Sequence, residues 1–137
     1  EFKNINFIVG IDLLNVEPLD GVYIAKQDIK DYDSYTQLFE KKDSRLDLVL
    51  SDIAPNITGI SDVDQSNFSD IATDILRFCR FKLKPNGILV MKYFLGSSFE
   101  MTLKTLNNNF SKTNVFKPAS SKKKSNEVYL ICIGFKD

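Results

Sequence analysis

Residues 47–64 read DLVLSDIAPNITGISDVD, and the way this stretch ends sets how the rest of the chain is read. Leu46 to Leu50 form a short, largely apolar run, the pattern of a strand buried on both faces. The run stops on Ser51-Asp52, and Pro55 and Gly59 then turn the chain. A turn alone has no use for a carboxylate at the strand tip. Asp52 is therefore a candidate for facing a ligand.

Working outward, short apolar runs alternate with amphipathic stretches. NFIVGID (6–12) reads as a strand, GVYIAKQDI (21–29) contains a shorter one, and DYDSYTQLFEKK (31–42) reads as a short helix. QSNFSDIATDILRFCRFKL (65–83) is the clearest helix, with Phe68, Ile71, Ile75, Leu76, Phe78 and Cys79 at three- and four-residue spacings. Lys84-Pro85-Asn86-Gly87 predicts its stop. GILVMKYF (87–94) predicts a strand, SSFEMTLKTLNNNF (97–110) a helix, and TNVFKP (113–118) with EVYLICIGF (127–135) the closing strands. Strands separated by helices imply right-handed crossovers and a mostly parallel sheet covered on both faces. The last two strands have no helix between them, which predicts an antiparallel hairpin at one edge. The expected fold class is α/β, as one domain over residues 1–137.

Composition narrows the function. The 137 residues are 43% hydrophobic and 26% charged, and Lys plus Arg balances Asp plus Glu at 18 each. With no global charge to attract a polyanion, any such partner must meet a local patch. There is no histidine, which excludes His-dependent triads and His-ligated metals. Cys79 and Cys132 lie far apart in apolar surroundings and match no metal spacing, so they read as reduced core thiols of a cytosol-like compartment. No metal is expected. No stretch approaches the roughly 20 apolar residues of a membrane span, so no membrane partner is expected either.

In open α/β sheets, ligands bind beyond the carboxyl ends of the strands. Those ends carry Asp12, Asp28, Asp52 and Lys92. A lone acid there is ordinary loop solvation, but four polar groups on successive strand ends are a constellation. Lys92 interrupts the apolar run LVM-YF, and a lysine buried in a strand is costly unless it is paired or put to use.

Three ordered segments carry a resemblance. Ser51-Asp52-Ile53-Ala54-Pro55-Asn56-Ile57-Thr58-Gly59 followed by Asp64 is the first. Pro85-Asn86-Gly87 through Lys92, Phe94 and Gly96 is the second. Lys117-Pro118-Ala119-Ser120-Ser121, then Ser125, Glu127 and Tyr129, is the third. Together they closely resemble the FtsJ-type ribosomal RNA 2′-O-methyltransferases, over essentially the whole chain. The resemblance implies a Rossmann-like methyltransferase fold and S-adenosylmethionine as methyl donor. It also implies a Lys-Asp-Lys-Glu tetrad, of which Asp52, Lys92 and Glu127 are the last three members. By the same resemblance Asp12 lies near the ribose or methionine of the cofactor and Asp28 near the adenine amine. Pro55 and Asn56 with Gly59 shape the loop that holds cofactor and target nucleotide, and Asp52 and Pro55 join the two acids as cofactor-binding residues. Lys117 and the run Lys122, Lys123, Lys124 are the candidates for RNA phosphates.

The chemistry suits these residue types. Methyl transfer from a sulfonium is an in-line displacement, so alignment supplies much of the acceleration. A ribose 2′-hydroxyl needs its proton drawn away as it attacks, and Lys92 is the candidate base.

The family's first catalytic lysine, its first strand and its G-x-x-P-G loop have no counterpart in these residues. The expectation is an incomplete record of a longer chain; a chain that truly began here should be catalytically dead. The absent strand would lie between NFIVGID and LDLVLSD, leaving two sheet edges open. Asn86 replaces a family glycine at a left-handed turn, and Ser121 stands where many members carry Arg. The expected partner is ribosomal RNA or the large ribosomal subunit, with the protein a monomer of cytoplasm or mitochondrion. The alternatives are a transfer RNA or cap 2′-O-methyltransferase, and a non-catalytic RNA-binding or assembly factor. Asn56 favours the ribosomal branch, since the transfer RNA branch more often has Asp there.

Overall fold

The computed structural model describes residues 7–39, 45–119 and 125–136. The chain divides into two compact units, residues 1–43 and 44–137. In the first, strands β1 (Ile8–Asp12) and β2 (Val22–Lys26) pair in parallel, from Ile8 opposite Val22 to Asp12 opposite Lys26. Helix α1 (Tyr32–Phe39) follows, with Tyr35 and Phe39 buried.

The second unit contains β3 (Leu46–Ser51), α2 (Ser61–Lys82), β4 (Leu83–Phe94), α3 (Phe99–Asn109), β5 (Phe110–Phe116) and β6 (Glu127–Phe135). Its sheet runs β3-β4-β6-β5. β3 and β4 are parallel, while β6 is antiparallel to both β4 and β5. The closing hairpin is antiparallel as expected, but its second strand lies inside the sheet and β5 forms the edge. Among the described residues β1 pairs only with β2 and β3 only with β4. These are the two strands that the resemblance sets on either side of the family's first strand.

α2 begins four residues ahead of the expected start. Its first turn is polar, so apolar periodicity does not reveal it; Asp62 and Asp64 there suit the positive end of the helix dipole. The helix ends at Lys82, as Pro85 demands. Lys84-Pro85-Asn86 is a bulge within β4: Leu46 pairs with Leu83, yet Leu48 pairs with Ile88. Asn86 takes φ +63°, the left-handed conformation that asparagine tolerates.

One face of the sheet packs against α2 and α3. Leu89, Met91 and Tyr93 of β4 and Val128, Leu130 and Cys132 of β6 are buried there. Phe68 of α2 lies 5.8 Å from the Tyr93 ring and stacks on Phe94 at 4.7 Å. Cys79 and Cys132 are free and buried, and burial pushes their thiols up to about 12 and about 11, so both are neutral. The apolar runs predict cover on both faces, and here the structure differs. Leu48 is 47% and Leu50 is 70% exposed, because α2 and α3 lie on the same side of the sheet. An apolar run shows what a strand is able to bury, not which faces its own helices reach.

Candidate active site

Three neighbouring strands bring the expected catalytic residues to one end of the second sheet. Ser51 is level with Met91 in the parallel pair, so Asp52, one residue past β3, leaves the sheet level with Lys92. β6 starts at that same end, with Glu127 opposite Phe94 and Tyr129 opposite Lys92. Paired residues on adjacent strands share a face. By that pairing, and by alternation along each strand, Lys92, Tyr129 and Glu127 lie on the face turned away from Tyr93; Phe94, the last residue of β4, departs from it, its ring stacked on Phe68 of α2. A depression of about 230 Å³ lined by Leu50, Ser51, Asp52, Val90 and Tyr129 opens beside them. The Ser51 hydroxyl is buried without a hydrogen-bond partner among the described residues.

Lys92 is half-buried rather than enclosed, because α2 and α3 both pack on the other face of this sheet. Among the described residues it makes no ion pair with Asp52 or Glu127. The fold thus brings the three together by strand order and shared face, without a closed charge cluster.

The loop after Asp52 is held from its far end. Asp64 accepts hydrogen bonds from the Thr58 amide (2.8 Å), the Thr58 hydroxyl (2.7 Å) and the Gly59 amide (3.1 Å). Gly59 sits at φ +84°, where a side chain would be strained. The Thr58 amide, followed by its hydroxyl, holds the Asp64 carboxyl below 3.8, against the opposing pull of burial. Because the folded-state value is depressed, this contribution to stability is present above pH 3.8 and is lost as pH falls through the lowered value. Urea midpoints of wild type and Asp64→Asn, followed from neutral pH downward, should converge in that acid range and stay apart above it. A constant gap across pH would contradict the assignment.

The neighbouring Gln65 anchors a second loop. Its Oε1 accepts from the Ser98 amide (3.1 Å) and the Ser98 hydroxyl (2.9 Å). The Tyr93 hydroxyl lies 2.7 Å from Ser98 Oγ and 2.8 Å from Thr102 Oγ1. A side chain at Gly96 would run into the Gln65 carboxamide, which accounts for glycine there. Asp64 appears in the sequence motif without a role, and Gln65 is silent in sequence, since its partner lies 33 residues away.

In the first unit, Asp12 and Asp28 both sit at the carboxyl end of the parallel pair. Each uses Oδ1 to accept the amide two residues on, from Leu14 at 2.8 Å and Lys30 at 2.9 Å. Their Oδ2 atoms make no bond among the described residues, so each acid can accept a hydroxyl or amine donor. Lys117 is more committed than a phosphate contact requires: its amine donates to the Ser125 carbonyl and to the Glu127 carbonyl at 3.2 Å, bracing the start of β6. Lys122, Lys123 and Lys124 lie outside the described residues. Pro55 is half-buried within the loop that Asp64 holds.

Comparison with known proteins identifies this arrangement. The fold is that of a Rossmann-like methyltransferase: it superposes on a crystal structure of Aeropyrum pernix fibrillarin with bound S-adenosylmethionine at a TM-score of 0.55, covering 82% of this chain and 45% of that one, at 11% identity. A crystal structure described as a ribosomal RNA methyltransferase, from Plasmodium falciparum, gives a TM-score of 0.82 at 27% identity, over 93% of this chain and 71% of the other. The profile of the FtsJ-like methyltransferases matches residues 2–135, and the chain belongs to that family. Ribosomal RNA large subunit methyltransferase E of Albidiferax ferrireducens is 36% identical over 130 residues, which are 94% of this chain and 58% of the relative. The protein of the same name from Methanothrix thermoacetophila is 35% identical over 90% of this chain and 49% of its own length. The chain thus spans about half to three-fifths of these relatives.

Proposed function

We propose that this chain is part of an enzyme that transfers the methyl group of S-adenosylmethionine to a ribose 2′-hydroxyl of large-subunit ribosomal RNA. The observation that carries the reading is the convergence of Asp52, Lys92 and Glu127 at one end of β3, β4 and β6. The names of the curated relatives support the choice of RNA.

In the reaction the 2′-oxygen bonds to the methyl carbon as the carbon–sulfur bond breaks, and that electron pair neutralises the sulfonium. Lys92, as the free amine, takes the hydroxyl proton. Asp52 and Glu127 orient the amine and the hydroxyl from the adjacent strands. The free Oδ2 atoms of Asp12 and Asp28 suit the hydroxyl and amine donors of an adenosine, which is the fit S-adenosylmethionine requires. Lys117 keeps one of its three N–H groups beyond its two carbonyl bonds and, with Lys122, Lys123 and Lys124, offers RNA phosphates a local positive patch. The protein acts as a monomer in the compartment where the large subunit is made, cytoplasm or mitochondrion.

The test is transfer of labelled methyl by the natural full-length protein to unmodified large-subunit ribosomal RNA. Label recovered on ribose is the expected result. Label on transfer RNA alone would overturn the substrate, and a folded protein that labels no RNA would be a binding or assembly factor.

A further inference from the structure

This reading leaves two buried polar side chains without a role. Asp64 and Gln65 are consecutive at the start of α2, 9% and 8% exposed, and they reach two different loops. We propose that Asp64 and Gln65 are positioning residues for methyl transfer, fixing from a single helix turn the two segments that follow Asp52 and Lys92. The inference rests on the function proposed above.

The hydrogen bonds separate this role from helix capping. A cap satisfies the free N–H groups of the first helical turn. Asp64 instead takes the amides of Thr58 and Gly59, which precede the helix, and Ile60 at the N-cap position makes no side-chain cap bond. What Asp64 holds is the loop. β3 fixes the loop at Ser51 and Asp64 fixes it at Thr58, so Asp52 to Ile57 is the only span left to vary. The Thr58 hydroxyl also accepts the Ile60 amide at 3.1 Å while donating to Asp64, which locks its rotamer.

Gln65 does the same for the segment beyond Lys92. A backbone amide can only donate, so the Ser98 amide fixes the carboxamide with its oxygen toward Ser98. The Ser98 hydroxyl spends its one proton on Gln65. The Tyr93 hydroxyl must then donate to Ser98, and Thr102 must donate to Tyr93. The chain of bonds therefore runs one way, from Thr102 through Tyr93 and Ser98 to Gln65, and it passes through Tyr93, the residue next to Lys92. The same turn is tied to the third strand, because the Leu95 amide donates to the carbonyl of Asn126, the residue before Glu127, at 2.9 Å. In-line displacement is sensitive to this kind of support: a misplacement of about 1 Å can cost about 100-fold in rate.

The experiment uses the natural full-length protein with Thr58→Val, Thr58→Ser and Gln65→Leu, all assayed below their melting temperatures. Thr58→Val keeps shape and loses the hydroxyl, so it keeps the test alive should Gln65→Leu not fold. The expected result is a kcat about tenfold or more lower for Thr58→Val and Gln65→Leu, with KM for RNA changed less than about threefold. Thr58→Ser, which restores the hydroxyl, should stay within about twofold of wild type. A purely structural clamp would lower the melting temperature and leave kcat per folded molecule unchanged, and that outcome overturns the proposal. So does a Thr58→Ser variant as slow as Thr58→Val. Wild type that methylates no RNA would instead overturn the function itself, an outcome visible before any variant is made.

Discussion

Lys92→Met in the natural full-length protein is expected to lower methyl transfer by about 100- to 10,000-fold, the range general-base catalysis supplies. Methionine matches the length of the lysine stem and removes only the amine. Lys92 is half-buried on β4 and makes no ion pair among the described residues, so the exchange strands no buried partner. Folding stability should stay within about 0.5 kcal/mol of wild type, as for most replacements that leave packing and partners intact. Binding of S-adenosylmethionine, followed by calorimetry, should be little changed. Lys92→Arg sharpens the test. Arginine keeps the positive charge yet cannot give up its proton at neutral pH, so it cannot serve as a base. An arginine variant as slow as the methionine one assigns proton removal to Lys92. An arginine variant near wild type would leave Lys92 only an electrostatic role, and a methionine variant within tenfold of wild type would remove it from the chemistry.

How much of this was legible in sequence depended on the range of the interaction. β6 spans residues 127–135 in both readings, because EVYLICIGF is one continuous apolar run bounded by polar residues, which is a local property. Asp52, Lys92 and Glu127 each sit inside a short ordered motif and so stand out in sequence; that the strand order brings them to one end is what the structure adds. The start of α2 does not stand out, since Ser61, Asp62 and Asp64 carry no apolar period. Lys117 reads in sequence as a candidate for RNA phosphates beside the lysine-rich loop, and the two carbonyls its amine also meets on the far side of that loop are not legible there. The Gln65–Ser98 link joins residues with no pattern between them. It exists only because β4 runs back along α2, so that its end, where the next helix begins, returns to the start of α2. Burial on both faces was overestimated for Leu48 and Leu50 for a related reason: apolar character belongs to the strand, and cover belongs to whatever packs on it.

That asymmetry of the sheet yields the second large effect, on stability. Leu130→Ala should destabilise the fold by about 2–5 kcal/mol, the range for removing a buried leucine side chain from a core. Leu130 is fully buried on β6, opposite Met91 on one side and Val115 on the other. Leu50→Ala makes the same chemical change on β3, yet Leu50 is 70% exposed, so the expected cost in the 137-residue chain is within about 0.5 kcal/mol. Denaturant midpoints for the pair, read at a common slope, measure the contrast. Equal losses would mean that the open face is packed in solution and that the one-sided core is wrong. A large loss confined to Leu130 has a functional corollary. Tyr129 and Glu127 stand on the strand that Leu130 and Val128 anchor from behind, and Lys92 stands beside it on a strand anchored by Met91 and Tyr93. On the function proposed above, the face that carries Lys92, Glu127 and Tyr129 is then held in place by the core packed behind it.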